Sequence, residues 1–217
     1  MSSTTRQRSS TPTAVDRLPL TGEPLALDLV NTTYVHGGTR GSLVDALTGP
    51  ADLDDWLRAC LPRLGARLRP ELARLLDRQP ADSDHLARLL ELRAALRELS
   101  AARVSEAAPP PAALDTVNRT ARLAAGWLEF APGGTGTAPR WTEPDLRLVA
   151  LGEIAAAGVE LLTGPAAEQL RACRAPGCIL YFVRSHARRE WCTTACGNRV
   201  RVARHSKRLR EPAAPTP

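Results

Sequence analysis

Four of the chain's five cysteines fall in one short window near its end. Cys173 and Cys178 flank the turn pair Pro176-Gly177 in CRAPGC, and Cys192 and Cys196 follow in WCTTACGNR. The intervals are four, thirteen and three residues. Two close pairs joined by a loop of moderate length suit a tetrahedral cation, because each pair spans one edge of the tetrahedron and the loop brings the edges together. Four soft thiolates with no vacancy point to one structural Zn2+. A redox switch that trades the metal for disulfides would use the same residues, and His186 or His205 could replace a cysteine as ligand. The intervals do not match the usual iron–sulfur runs. Cys60, on an apolar helical stripe far from this window, is expected to be a buried core thiol.

Charge separates the same end from the rest. Residues 171–210 carry eleven Lys and Arg against the single acid Glu190, in a chain whose overall charge is +6. The remainder is therefore mildly acidic. A basic, cysteine-rich end on an acidic body suggests that the end meets a polyanion and that the body does something else.

Helical periodicity dominates the rest of the chain. Leu53, Trp56, Leu57, Cys60 and Leu64 recur at three and four, with Pro62 expected to end that helix. A longer one runs from a cap at Asp82 or Ser83 to about Val104, with Leu86, Leu89, Leu92, Leu96 and Leu99 on its core face. Further helices are expected over 113–124 and over 144–162, the latter with the stripe Leu148, Leu151, Ala155, Gly158 and Leu162. WLEF and PRWTE bracket PGGTGTA as a β-hairpin; without the lysine of a P-loop, that glycine run is a weak phosphate cradle. LALDLVNTTYV, residues 25–35, is expected to be a short helix ending at Gly37-Gly38.

Disordered tails are expected at 1–17 and 213–217, a helical body at 18–165 and a zinc module at 166–212, with the boundary at Thr163-Gly164-Pro165. The polar start MSSTTRQRSSTPT lacks the order of a signal peptide, and charges interrupt the most apolar helix, so the expectation is a cytoplasmic chain with no membrane span.

Beyond Cys196 the chain continues as GNRVRVARHSKRLR, which as a helix places Arg201, Arg204 and Arg208 on one stripe with Asn198 leading it. Val200 and Ala203 face elsewhere, toward Tyr181, Phe182 and Trp191. Such a helix could read a major groove, arginine suiting guanine and phosphate and asparagine suiting adenine, or it could be a solvated basic face. The candidate nucleic-acid contacts are Arg188, Arg189, Asn198, Arg199, Arg201, Arg204, Lys207 and Arg208. Asp28, Asn31 and His36 read as helix-end caps and a loop histidine. No nucleophile has a base at a recognisable spacing, so an enzyme is not expected.

The four cysteines, Phe182, Arg189, the Trp191-Cys192 pair and the tetrad Cys196-Gly197-Asn198-Arg199 together resemble the CGNR zinc-finger family. The preceding body is similar to the ABATE domain, whose opening motif LALDLVNT resembles. The resemblance implies a bacterial, stress-linked transcription regulator with zinc at Cys173, Cys178, Cys192 and Cys196. Many members of the family carry an aspartate soon after the phenylalanine; here Val183-Arg184-Ser185 follows, so no role for that acid carries over. The expected fold is mainly α, a helical N-terminal domain with a small hairpin followed by a treble-clef-like zinc module ending in a basic helix. The expected partners are duplex DNA, a second copy through the N-terminal domain and an unidentified small-molecule effector. A thiol or zinc redox sensor and an RNA- or protein-binding module are the alternatives.

Overall fold

The computed structural model describes residues 21–210, and the tails expected at 1–17 and 213–217 lie outside them. The body is organised around helix α6, Leu146–Thr163, numbered in chain order among the elements that follow. Around it stand α1 (Leu25–Val30), α2 (Pro50–Cys60), α3 (Leu68–Arg78), α4 (Ser83–Ser105) and α5 (Pro111–Ala121), with α1, α3, α4 and α5 packed most extensively against it. The sequence of α6 explains its central place. Val149, Ala150, Leu151, Gly152, Ile154, Ala155, Gly158 and Leu161 are all buried, an apolar surface far wider than one stripe. Leu148 and Leu162, expected on the core stripe, lie at its margin, partly buried. Two glycines let neighbours come close: a Cβ on Gly158 would lie 2.5 Å from Leu96 Cδ2, and one on Gly152 would lie 2.4 Å from the Ala124 nitrogen. Asp145 caps the helix by accepting from the Arg147 N–H at 2.8 Å, and Gly164-Pro165 ends it.

Helix α4 begins where the sequence indicates, with Asp82 accepting from the N–H groups of Asp84 and His85, and it buries Leu89, Leu92, Leu96 and Leu99. Helix α2 ends at Cys60, and Pro62 sits in the short 3-10 turn that follows. Helix α3 was not expected. Its stripe Leu68, Leu72 and Leu76 is regular, but Pro62 and Pro70 obscure it; Pro70 is tolerated because first-turn N–H groups have no partner inside the helix.

Two antiparallel hairpins decorate the body. Strands β3 (Gly126–Phe130) and β4 (Thr137–Trp141) pair as the aromatic bracketing predicts, Phe130 opposite Thr137, and the glycine loop leads into a strand instead of a helix N-terminus. The second hairpin corrects the sequence reading. The helix expected over 25–35 stops at Val30, and β1 (Thr33–His36) pairs with β2 (Ser42–Asp45). Thr33, Tyr34 and Val35 favour a strand, and Gly37 and Gly38, at φ 87° and 73°, form the tight reversal. Among the described residues, no helix is long and apolar enough to cross a membrane.

One charged pair lies inside this body. Arg147, 1% exposed, donates Nε and Nη2 to Asp54 at 2.8 and 3.1 Å, and Asp54 also accepts from the Ala81 N–H at 2.9 Å. Removing one partner strands a desolvated charge. Arg147→Met is therefore expected to lower unfolding free energy by about 3–5 kcal/mol in urea titrations, with much of the loss recovered when Asp54 is also made apolar. His85 joins two helix caps, with Nδ1 2.6 Å from Asp82 and Nε2 2.6 Å from Asp145. Burial disfavours its charge, but the Asp145 and Asp82 carboxylates outweigh burial and hold the imidazole above its ordinary range. A raised folded-state pKa stabilises fully below about pH 6.5 and is lost as pH rises through the raised value. Melting temperature should accordingly fall from pH 6 towards pH 8 in wild type and less in His85→Gln.

Candidate metal centre and basic helix

The C-terminal module begins with two short strands, β5 (Leu170–Ala172) and β6 (Tyr181–Val183), paired antiparallel. The chain between them makes a tight knuckle. Cys173 N–H donates to the Leu180 carbonyl at 2.8 Å and Cys178 N–H to the Ala175 carbonyl at 2.9 Å, while Gly177 takes φ 71°. This turn brings Cys173 and Cys178 to one side. The second pair comes from the approach to helix α7, Thr194–Arg210. Thr193 accepts from the Cys196 N–H at 3.3 Å, so Cys196 stands in the first turn and Cys192 just before it. Thr193, the natural cap, leaves Cys192 outside the helix.

The four sulfurs all lie within 4.8 Å of one another, with Cys178 to Cys192 at 3.7 Å and Cys192 to Cys196 at 3.4 Å. Sulfurs about 2.3 Å from one shared zinc ion would be about 3.8 Å apart, so the spacing fits that ion and is too wide for disulfides. Electrostatics agree. Hydrogen bonds from Cys178 and then Cys192 hold Cys173 well below the ordinary thiol range, and the bond to that same Cys173 pushes Cys178 and Cys192 above it. Four adjacent thiols cannot all ionise unless a cation compensates them. The cluster is a site for one zinc ion with no open coordination position. Phe182, Ala175 and Val200 are buried around it and Trp191 packs on them, too little apolar surface to fold alone. Cys60 stands apart in the body core, its thiol pushed up to about 12 by burial.

Two arginines expected at nucleic acid turn inward. Arg199 donates Nη2 to the Cys196 sulfur at 2.8 Å, and its stem lies so close to Gly38 that a Cβ there would be 2.9 Å from Arg199 Cδ. Arg189 donates to the Val183 carbonyl and the Cys192 carbonyl, both at 3.0 Å, pairs with buried Glu23 and lies 5.1 Å from the Phe182 ring centre. Both guanidinium groups therefore make bonds within the module or to the body. The remaining candidates are on the surface. Arg188, Asn198, Arg201, Arg204 and Arg208 are exposed, with Arg201 donating to the Asn198 side chain. Lys207 lies on the backbone of α7, its side chain outside the described residues. Val200 packs as expected, whereas Ala203 is exposed because α7 has by then left the module.

The body grips this module through Asn31, which the sequence suggests as a helix-end cap, and through Glu23. Asn31, fully buried, accepts from the Tyr181 N–H at 3.0 Å and donates to its carbonyl at 2.9 Å, so that a side chain extends the β5–β6 ladder. Glu23, 2% exposed, accepts from the Val183 N–H at 2.9 Å besides pairing with Arg189. Asp28 is buried and holds Thr21 and Arg63. Leu27, Leu161 and Leu170 make a small shared core, and Gly177 meets Gly38 backbone to backbone. His36 stays exposed on its hairpin.

A family model described as "Putative stress-induced transcription regulator", ABATE, matches residues 23–165. The model of the CGNR zinc finger matches residues 169–209. No curated protein matches the chain.

One zinc per chain is the expected result of elemental analysis on purified protein, with the metal lost in Cys173→Ser and Cys196→Ser. Chelation should remove the helicity of α7 and leave the leucine core around α6, which contains none of the four ligands. A chelated protein with no residual helix in circular dichroism would show that the two units fold as one.

Proposed function

Because the chain belongs to the ABATE family and carries a CGNR zinc finger, we propose that it is a zinc-containing transcription regulator whose basic helix binds duplex DNA. The observation that supports this most is the course of α7. After Val200 the helix leaves the module, and every described side chain from Arg201 to Arg208 is exposed. Those side chains all face solvent, Val202 among them, and so exposed a basic helix suits a charged partner. Residues 194–210 contain no acid, and Arg201, Arg204, Lys207, Arg208 and Arg210 follow Val200 along the helix. Ten residues of α-helix extend about 15 Å, enough to lie along a major groove about 12 Å wide.

In this reading the zinc site and the inward arginines hold the root of the helix. Arg188 and Asn198 stand at its base. Arg201 and Arg204, nearest the module, are the candidates for base contact, and Lys207, Arg208 and Arg210 for phosphate. The body is assigned dimerisation and effector sensing, and its hairpin β3–β4 leaves Trp127, Leu128 and Phe130 exposed. The protein is then a cytoplasmic regulator and not an enzyme.

Binding isotherms at several salt concentrations test this on selected and random duplexes. Each phosphate contact contributes about 0.9 to the slope of log affinity against log salt, so Arg208→Ala should flatten it by about that amount on every sequence. Arg201→Ala or Arg204→Ala should instead cost about 1–3 kcal/mol on the preferred sequence and less on random DNA. A wild type with no salt-dependent affinity for any duplex would end the regulator reading and leave RNA or an acidic protein as the partner.

A further inference from the structure

The four zinc-site cysteines are not equally enclosed. Cys173, Cys192 and Cys196 are buried, whereas Cys178 is only partly buried. Its side chain lines a cleft of about 300 Å3 between the tip of the β1–β2 hairpin and the start of α7. Tyr34, His36, Gly38, Leu180, Thr193 and Arg199 form the walls, and Cys196 also borders it. Three features of this cleft bear on chemistry. It is bordered by two of the four cysteines, Cys178 and Cys196. It holds a guanidinium whose Nη2 donates to Cys196 while its Nε is buried with no hydrogen-bond partner. It places a second sulfur, that of Cys192, 3.7 Å from Cys178 on the inner side.

We propose that this cleft admits hydrogen peroxide and that Cys178 is the site at which the cysteine cluster is oxidised. The Cys178 thiolate attacks one peroxide oxygen; an S–O bond forms, the O–O bond breaks, and the other oxygen leaves as hydroxide and is protonated to water. The Arg199 guanidinium, which borders the cleft, supplies positive charge toward that leaving oxygen. The Cys192 thiolate then attacks the Cys178 sulfur; an S–S bond forms, the S–O bond breaks, and a second hydroxide is protonated to water. Two thiolates lose two electrons in total, and one peroxide and two protons become two waters. The 3.7 Å gap must close to about 2.05 Å for that bond, a movement the knuckle can make once two sulfurs leave the metal. With those two joined, the site can no longer hold the ion.

Cys178 is a better entry point than Cys196. Cys196 is 3% exposed, and its sulfur already accepts from a charged donor, which lowers its electron density. The consequence for α7 follows from the ligand set. Cys196 lies in its first turn, and Val200 is its last buried residue, so loss of the ion frees the helix from its root. That consequence rests on the DNA-binding role proposed above, whereas the oxidation itself does not.

Full-length, zinc-loaded protein is treated with hydrogen peroxide, zinc release is followed with a chromogenic chelator, and the oxidised cysteines are mapped by mass spectrometry. The expected first products are a trapped sulfenate on Cys178 and a Cys178–Cys192 disulfide, formed in step with zinc release. A bulky hydroperoxide should act more slowly than hydrogen peroxide. Arg199→Met, which removes that charge, should slow release roughly tenfold, and Arg199→Lys should keep most of the wild-type rate. Zinc retained under a peroxide excess that oxidises a free-thiol peptide would overturn the proposal, as would first oxidation at Cys173 or Cys196. Should Arg199→Met weaken zinc binding too far for that assay, the mapped order of oxidation in wild type decides alone. The same samples are tested on duplex DNA. Binding lost on oxidation and restored by reductant with zinc supports the switch, and oxidised protein of unchanged affinity overturns it. Wild type that never binds DNA sinks the regulator reading, with the oxidation site still judged by zinc release.

Discussion

Four sulfurs within 4.8 Å of one another are unstable as four thiolates and useless as four thiols, and a cation resolves the conflict. The C-terminal module depends on this. Its apolar core is little more than Phe182, Val200 and the cysteines themselves, so the metal supplies the folding energy that a larger domain would take from burial. Once the ion fixes Cys192 and Cys196, the start of α7 is fixed, and the direction in which its basic half leaves the module is set as well.

The charge of that centre is also managed locally. Arg199 donates to one ligand's sulfur and Arg189 to another ligand's carbonyl, while buried Glu23 balances Arg189 from the body. A chain of charge therefore runs from the metal site through Arg189 into the N-terminal domain. Asn31 adds a second tie by pairing with Tyr181 as a strand would. The two family segments are thus coupled by buried, directional bonds, and a change in the zinc site has a physical route to the body. Coupling of this sort suits a sensor joined to a binding element, since buried polar contacts have few intermediate states.

Much of this was legible in the sequence because its signals are local. The cysteine intervals, the Pro176-Gly177 knuckle, the leucine spacing of α4 and the basic run after Cys196 each lie within a few turns of chain, where residue spacing alone fixes which side chains meet. The hairpin around PGGTGTA was equally plain. Helix α3 was missed because two prolines masked a regular stripe, and β1–β2 because Leu25 to Val30 read as a helix that should have continued.

What the sequence could not determine are the contacts between distant segments. Glu23 and Arg189 are 166 residues apart, and no periodicity connects them. In composition Arg189 and Arg199 look like any other cation of a basic end, and only the packing of β6 and of the Gly38 turn shows that they face inward. The same holds for Arg147, an interruption of an apolar run in one dimension and the buried partner of Asp54 in three. Sequence determined the ligand set and the excess of charge, because chemistry and count survive in one dimension. Tertiary structure decided which charges stand on the surface and which of the four cysteines is least buried, because burial belongs to the packed chain and to no residue by itself.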